Sequence, residues 1–324
     1  MKTPIIESLL TLNSKTAVPK TATVVVQNLC KNYGKIRAVD GISFEVRRGE
    51  VFGLLGRNGA GKTTTVEIIE GLRSRDEGVV TVCGYDPAAD AREVKQRIGV
   101  ALQATALPDK IEVREALRLF AGFYRRRTDV DELLAAFSLE DKATSRFETL
   151  SGGQQQRLAV ALALVNDPEV IIMDEPTSGL DAQARREVHG QIERLKGLAK
   201  TVILTTHYIE EAEKLCDRVA IMDHGRIVAI DDPRVLVSQS RERARIEFRT
   251  DAQIQTSDLR RIPFVESIKE RHGTYVLQSA DAVRALVELI KWIEREGIEL
   301  EDLHVTRPTL EDVFIELTGR KIPK

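Results

Sequence analysis

The chain has 324 residues, and its 48 basic and 50 acidic side chains leave a net charge of -2. These totals show neither a polybasic nucleic-acid surface nor an acidic tail. Aromatic residues, at 5% with one Trp, are too few for a single-strand binding platform. The longest apolar run, residues 158–165, is far shorter than the roughly twenty residues of a membrane span. The sequence therefore predicts two folded domains, no bilayer crossing and no direct binding of nucleic acid.

The pattern of apolar and turn residues in the first part of the chain predicts a β-rich α/β domain preceded by a leader. Residues 1–21 lack periodicity and are expected to be flexible, and we assign them no function. Short apolar runs bounded by turn residues indicate strands, the later ones buried on both faces of a sheet. The predicted strands are 24–26, 42–46, 51–55, 170–173, 202–204 and 219–222.

Two further regions are predicted from the order of elements. Helical patterns at 112–124, 130–137 and 154–165 follow one another without a strand. They predict a helical subdomain at about 104–165, inside a first domain of residues 22–238. Beyond it, the order strand, helix, strand, strand, helix, strand predicts a small ferredoxin-like α+β domain over residues 239–324.

The helix predicted at 282–294 carries the only Trp of the chain. The large apolar side chains that share one of its faces, at 100° per residue, are Val283, Leu286, Val287, Ile290 and Ile293. Trp292 falls nearly opposite. This predicts that Trp292 lies off the domain's core, either partly exposed or packed against the first domain or a second subunit.

A glycine-rich segment follows the predicted strand 51–55 and matches G-x-x-x-x-G-K-[ST]. Its glycines let backbone amides turn toward phosphate, and the helix that follows adds its positive N-terminal dipole. Lys62 would reach the β and γ phosphates, and Thr63 would hold Mg²⁺. A chance glycine-rich turn is the alternative, which the flanking strand and helix weaken. The residues predicted to bind the phosphates of a nucleotide here are Gly56, Asn58, Gly59, Ala60, Gly61, Lys62, Thr63 and Thr64.

Two adjacent acids, Asp174 and Glu175, follow the predicted strand 170–173. Open α/β sheets bind ligands at the carboxyl ends of their strands, and adjacent residues point in opposite directions there. Asp174 therefore suits the Mg²⁺ shell, and Glu175 suits activation of an attacking water. Alone, such a pair is usually the solvated start of a helix. Together with the phosphate loop it predicts a site that hydrolyses a nucleotide.

Further motifs resemble those of ATP-binding cassette (ABC) proteins. The segment LSGGQQQR, residues 150–157, is similar to the family's signature motif. All these motifs occur in the family's order, between about residues 24 and 231. The matching residues are Ser151, Gly152, Gly153 and Gln154 in the signature, Gln103 in the Q-loop, Asp181 in the D-loop, His207 as switch histidine and Tyr33 as the aromatic that stacks on adenine.

The resemblance implies a shared site in a head-to-tail homodimer. The signature segment of one copy would close over ATP held by the phosphate loop of the other. Each hydrogen bond to a charged group is worth about 1.5 to 3 kcal/mol, against about 0.3 to 1 kcal/mol for a helix dipole. Hydrogen bonds would therefore dominate closure. The implied catalytic residues are Lys62, Gln103, Glu175 and His207, and the implied Mg²⁺ ligands are Thr63, Gln103 and Asp174.

A finer resemblance concerns the branch of the family. Residues 206–220 and the tail at 307–314 resemble the drug-exporter branch related to daunorubicin-resistance ATPases. This implies an ATP-hydrolysing exporter subunit, held on the cytoplasmic face of the membrane by a separate permease. The surface around Gln103 and the helical subdomain would couple the two proteins. The C-terminal domain would regulate or stabilise the dimer.

Two alternatives remain at this point. One is a soluble ABC ATPase acting on ribosomes or DNA, although the paired cassettes or long coiled coils usual in such proteins are not visible. The other is a regulatory module that binds ATP without turnover, against which Glu175 and His207 argue. The histidines expected to be ordinary surface or core residues are His189, His224, His272 and His304.

Overall fold

A computed structural model describes residues 22–101, 107–240, 243–271 and 273–320. The predicted leader, Gln103 and His272 lie outside the described residues. The chain divides into two compact units, one ending at Pro233 and the other beginning at Arg234. The boundary predicted from the sequence, after residue 238, lies a few residues further along the chain.

The first unit contains nine strands and seven α-helices within the described residues. In chain order they are β1 (Ala22–Tyr33), β2 (Ile36–Arg47), β3 (Val51–Gly56), α1 (Lys62–Ile69), β4 (Glu77–Val82), α2 (Ala91–Lys95), β5 (Ile98–Ala101), α3 (Val113–Ala121), α4 (Val130–Ala136), α5 (Gly152–Leu162), β6 (Val170–Asp174), α6 (Ala182–Gly197), β7 (Thr201–Thr206), α7 (Ile209–Leu215), β8 (Arg218–Asp223) and β9 (Arg226–Asp231).

An antiparallel sheet of three strands, in the order β2-β1-β4, forms the β-rich start of this unit. Its strands alternate buried and exposed side chains. In β2, for example, Ile42, Phe44 and Val46 are buried while Ser43 and Glu45 are exposed. Such alternation is typical of a sheet with one face on the core and one toward water. The β-rich start predicted from the sequence is confirmed.

A six-stranded sheet in the order β5-β6-β7-β3-β8-β9 carries the predicted site. Its strands pair in parallel except β8 with β9. Every residue of β3, β6 and β7 is buried, as expected for strands covered on both faces. Because β6, β7 and β3 are neighbours, the segments that follow their carboxyl ends lie side by side.

The helical insertion follows the predicted order, with shifted ends. The helix expected to reach residue 124 ends at Ala121, and the helix expected to begin at residue 154 begins at Gly152. Ser151 explains the earlier start: its hydroxyl accepts a hydrogen bond from the Gln154 backbone, which caps the helix. No helix among the described residues is both long enough and apolar enough to span a membrane.

The second unit has the predicted strand and helix order. Its elements are α8 (Pro233–Gln239), which begins at the boundary, β10 (Ala244–Arg249), α9 (Thr256–Leu259), β11 (Ser267–Arg271), β12 (Thr274–Ser279), α10 (Ala282–Glu296), β13 (Asp302–Thr306) and α11 (Leu310–Thr318). The four strands form an antiparallel sheet in the order β11-β12-β10-β13. This order and direction are those of a ferredoxin-like sandwich.

The prediction for the face of α10 is right for Leu286 and Ile293, which pack against the domain's core, and wrong for the other three residues. The helix buries Ala285, Leu289 and Ile293 against the sheet, and Trp292 packs partly buried against the same core. Val283, Val287 and Ile290, by contrast, are exposed. The sequence-based interpretation counted only large side chains and so left out Ala285, which is fully buried. Trp292 is thus partly exposed, as one of the two alternatives predicted, and its buried part packs against the core of its own domain.

Candidate nucleotide-binding and catalytic site

The phosphate loop lies between β3 and α1, as its motif predicts. Gly61 adopts φ 101°, and a Cβ there would lie 2.4 Å from the Ala38 carbonyl oxygen. Only glycine meets both conditions, because side chains rarely adopt this conformation and none would fit. Asn58 and Gly59 are exposed, while Gly56 and Ala60 are buried. The exposed part of the loop is therefore accessible to a phosphate.

Lys62, the first residue of α1, lies almost fully buried beneath this loop. Its Nζ donates to the backbone oxygens of Gly56 at 2.8 Å and Arg57 at 3.2 Å. It also lies 3.0 Å from Oε1 of Glu175. The structure thus brings together two of the predicted catalytic residues from segments more than a hundred residues apart.

Glu175 has both carboxylate oxygens paired. Its Oε2 lies 3.0 Å from Nδ1 of His207, and since an ionised carboxylate only accepts, the ring nitrogen donates. Three of the four predicted catalytic residues, Lys62, Glu175 and His207, therefore form one connected group. The fourth, Gln103, lies outside the described residues.

The backbone of Glu175 is left-handed, with φ 46°. Such a conformation costs a non-glycine residue roughly 1 to 3 kcal/mol. Thr205 on the neighbouring strand holds it, because the Glu175 amide donates to Thr205 Oγ1 at 2.9 Å and to its backbone oxygen at 3.2 Å. The sequence analysis missed Thr205. Its signal was the pair of threonines, Thr205 and Thr206, that follows the apolar run 202–204.

Asp174 lies beside Thr63, as expected of two ligands of one ion. Thr63 Oγ1 donates to Asp174 Oδ1 at 3.4 Å, and Thr205 Oγ1 donates to the same oxygen. Mg²⁺ prefers oxygen ligands and usually takes one or two carboxylates plus substrate phosphates. The oxygens of Asp174 and Thr63 fit that preference. Nowhere in the described residues do three or more His, Cys, Asp or Glu side chains cluster for a metal.

Tyr33 ends β1 with 39% of its surface exposed. Arg73 lies 5.2 Å and Lys31 5.7 Å from the centre of its ring. Arg73 is itself held by Glu67, 2.6 Å away. The ring is therefore accessible for stacking and sits in a positive environment.

The signature and D-loop residues serve as helix caps. Besides the Ser151 cap, the Ser151 amide donates to Gln154 Oε1 at 2.9 Å. Asp181 caps α6 by accepting from the amides of Gln183 and Ala184, both at 2.8 Å. Ser151 and Gly152 are exposed, so the N-terminus of α5 faces solvent. Across the described ranges, no hydrogen bond joins the signature segment to the phosphate loop of the same chain.

Two of the histidines set aside by the sequence analysis are surface residues: His224 and His304 are largely exposed. His189 is different, because it is mostly buried and its Nε2 lies 3.1 Å from Oε1 of Glu211. The sequence analysis assigned no role to Glu211. No motif pointed to it, because its partners come from three separate segments.

Glu70, directly after α1, is another acid that the sequence analysis missed. It is buried, and its Oε1 makes no hydrogen bond with the described residues. Burial, with the nearby charges of Asp174 and Glu67, raises the pKa of Glu70 from 4.5 to about 8. The folded protein therefore holds a proton on this carboxyl at neutral pH.

Replacing this carboxyl by an amide, Glu70→Gln, should flatten the pH dependence of stability. Because its pKa is raised in the folded state, the Glu70 carboxyl makes its full contribution to the free energy of unfolding below about pH 4.5. That contribution is lost as the pH rises toward about 8. The loss amounts to at most roughly 1.4 kcal/mol per pH unit. The free energy of unfolding, measured with urea at pH 5 and pH 8, should fall less in the variant than in the parent between these two pH values. Parallel pH dependences in variant and parent would contradict a buried, protonated Glu70. The exposed Glu193→Gln is the control.

Comparison with known proteins identifies the family to which this chain belongs. Residues 39–178 match the ABC transporter family, and residues 237–318 match the C-terminal domain of DrrA1-3-like ATP-binding proteins. Nod factor export ATP-binding protein I of Rhizobium sp. (strain N33) is 39% identical over 300 residues, covering 91% of this chain and 96% of that protein. The chain belongs to the ABC transporter ATP-binding proteins.

Other relatives agree with this assignment. The daunorubicin resistance ATP-binding protein DrrA3 of Streptomyces coeruleorubidus is 36% identical, covering 91% of this ABC protein and 96% of the relative. A solved ATP-binding subunit of an ABC transporter is 29% identical, with TM-score 0.60 over 68% of this chain and 93% of that one. The dimeric bacterial cassette MJ0796 is 27% identical, with TM-score 0.58 over 64% of this chain and 98% of that one.

These matches confirm the fold class and the family predicted from the motifs. The chain is an ABC ATPase subunit, homologous to the ATP-binding proteins of export systems. Neither alternative considered from the sequence, a ribosome- or DNA-directed ATPase or a module without turnover, gains support from these relatives.

Proposed function

We propose that this ABC ATPase drives export through a separate membrane permease, by closing and reopening a head-to-tail dimer around Mg²⁺ and ATP. The contacts of Glu175 with Lys62 and His207 carry this proposal, because they bring together a phosphate ligand, a base and a hydrogen-bond donor. The following paragraphs assign the individual roles.

Lys62 binds the β and γ phosphates. Its ammonium would exchange the contact with Glu175 Oε1 for phosphate oxygens, while its bonds to Gly56 and Arg57 keep it beneath the loop. The amides of the loop and the N-terminus of α1 bind the remaining phosphate charge. Tyr33 stacks on the adenine. Thr64, the third residue of α1, completes the predicted ATP-binding set.

Glu175 acts as general base on the attacking water. Once Lys62 turns to phosphate, Oε1 becomes the acceptor for the water's proton, while His207 Nδ1–H holds Oε2 and fixes the carboxylate. With a proton on each ring nitrogen, His207 donates from Nδ1 to Glu175 and from Nε2 to the γ-phosphate. Thr63, Asp174 and Gln103 would hold Mg²⁺, which would supply positive charge to neutralise the phosphates.

The second half of each site comes from the signature segment of another copy. Ser151 and the exposed N-terminus of α5 present a hydroxyl and backbone amides suited to a γ-phosphate. A solved relative, the cassette MJ0796, is dimeric. Because these bonds need the γ-phosphate, closure reverses on hydrolysis, which turns ATP turnover into movement.

The permease docks on the helical subdomain, which holds the chain at the cytoplasmic face of the membrane. At the end of α3, Phe123 is 68% exposed and Leu119 is 49% exposed. Phe120 meets Phe123 edge to face, with ring centres 6.2 Å apart. Neighbouring exposed apolar side chains of this kind are typical of a partner-binding surface.

Capture from detergent-solubilised membranes tests the proposal. The tagged chain should bring down a multispanning membrane protein that raises its ATPase rate on reconstitution in vesicles. The variant Phe123→Ser should lose this protein and the stimulation while keeping ATP binding. Recovery of ribosomal subunits instead, with an ATPase rate that no membrane protein changes, would overturn the proposal.

A further inference from the structure

Glu211, in the first turn of α7, is a carboxylate buried in the first unit, where it contacts the end of β7, α6 and the loop that follows β6. It is 2% exposed. Thr177 Oγ1 and His189 Nε2, at 3.1 Å, contact its Oε1, and Thr206 Oγ1 donates to its Oε2 at 2.8 Å. Thr177 and Thr206 are each 1% exposed.

The contacts explain why a charge persists at this depth. Burial opposes ionisation, yet hydrogen bonds from His189, Thr177 and Thr206 hold the pKa of Glu211 below its usual range. A buried carboxylate whose two oxygens are both hydrogen-bonded is costly to disturb, because removing one partner weakens the compensation for the buried charge. The arrangement is therefore rigid.

Two of the partners of Glu211 lie close to catalytic residues in the chain. Thr177 lies in the D-loop segment (residues 176–181), which follows Glu175 directly and ends at Asp181. Thr206 begins the switch segment (residues 206–211) and directly precedes His207. Thr206 Oγ1 also accepts from the Tyr208 amide at 2.9 Å, so the backbone on both sides of His207 is held.

We propose that Glu211 is a positioning residue that clamps the D-loop segment to the switch segment and so keeps His207 against Glu175. The inference rests on the proposed function for the roles of these two residues. Glu211 itself touches neither of them. It acts through Thr177 and Thr206, with His189 as a third support from α6.

The clamp matters for turnover because a small displacement of a catalytic group is enough to lower the rate of ATP hydrolysis. A shift of about 1 Å can lower a rate by about 10²-fold. Without the clamp, Thr206 and Thr177 lose their common acceptor, and the two segments can move independently. ATP binding depends on Lys62, Tyr33 and the phosphate loop, which Glu211 does not contact, so affinity should persist.

The test compares Glu211→Gln with Glu210→Gln, an exposed acid on the same helical turn. Glu211→Gln should lower kcat by about 10- to 100-fold while the dissociation constant for a fluorescent ATP analogue changes less than about twofold. Glu210→Gln should behave as the parent. A second pair of variants changes Thr206. Thr206→Ser should keep the parental kcat because serine retains the hydroxyl, whereas Thr206→Val should lower kcat because valine lacks it. This pair decides the matter if Glu211→Gln fails to fold.

Amide hydrogen exchange supplies a readout besides activity. In Glu211→Gln, exchange should speed up at Tyr208 and across residues 177–181, with α1 unchanged. Unchanged protection there, or a kcat equal to the parent's, would overturn the clamp. If the parent chain itself does not hydrolyse ATP, the proposed function fails, and the exchange comparison still tests the clamp on its own.

Discussion

Lys62→Ala should abolish tight ATP binding. Its Nζ is the buried positive charge beneath the phosphate loop, held by two backbone oxygens and by Glu175. Hydrogen bonds to charged groups contribute about 1.5 to 3 kcal/mol each, so losing two phosphate contacts weakens binding by roughly 10²- to 10⁴-fold. Equilibrium binding of a fluorescent ATP analogue measures this directly.

The control for this variant is Lys214→Ala, an exposed lysine on α7, which should bind ATP as the parent does. Lys62→Ala also leaves Glu175 without its cation, so a thermal unfolding curve should accompany the binding measurement. A folded Lys62→Ala protein that bound ATP within about twofold of the parent would refute the role assigned to Lys62.

Glu175→Gln should slow hydrolysis by about 10² to 10⁴-fold, because an amide cannot take the proton of the attacking water. The variant should keep ATP bound and remain in the closed dimer. Gln keeps the size of the side chain and an oxygen that can accept from His207 Nδ1, so the pocket geometry should survive. Single-turnover phosphate release gives the rate, and sedimentation with Mg²⁺ and ATP shows the dimer.

Glu193→Gln, an exposed acid on α6, should leave both measurements unchanged. Parental turnover in Glu175→Gln would show that another group is the base. If instead hydrolysis stopped but the protein stayed monomeric with ATP, the base assignment would stand and the head-to-tail dimer would be wrong. Lys62→Ala with ATP supplies the matched monomeric reference.

Local motifs were enough to place the phosphate loop. Its glycines, Lys62 and Thr63 form one continuous segment, and the conformations that the segment needs are specific to its residue types. The acidic pair at the end of β6 was recognised for a similar reason. When a chain also has a phosphate loop, two acids at the end of a buried apolar strand indicate a site for the metal and the attacking water. The family resemblance added the signature, D-loop, Tyr33 and His207.

Residues that act through packing were harder to find. Thr205, Glu211 and His189 come from different segments, and each alone is an unremarkable polar residue in an α/β chain. Glu70 follows two isoleucines on a buried helix face, yet sequence alone does not say whether such an acid is paired. The partly misassigned face of α10 has a similar cause, because neighbouring elements decide which of two apolar stripes is covered.

The amino-acid sequence by itself determined the family, the two domains, the order of their elements and the phosphate-binding chemistry. All of these depend on short-range patterns: periodicity, turn residues and motifs within a few residues of one another. Only the tertiary structure decided that Glu175 lies between Lys62 and His207, that Thr205 holds its backbone, and that Glu211 joins the D-loop and switch segments. These contacts join β3, β6 and β7, whose order in the sheet differs from their order in the chain. Strand pairing, rather than any local pattern, brings those side chains within hydrogen-bonding distance.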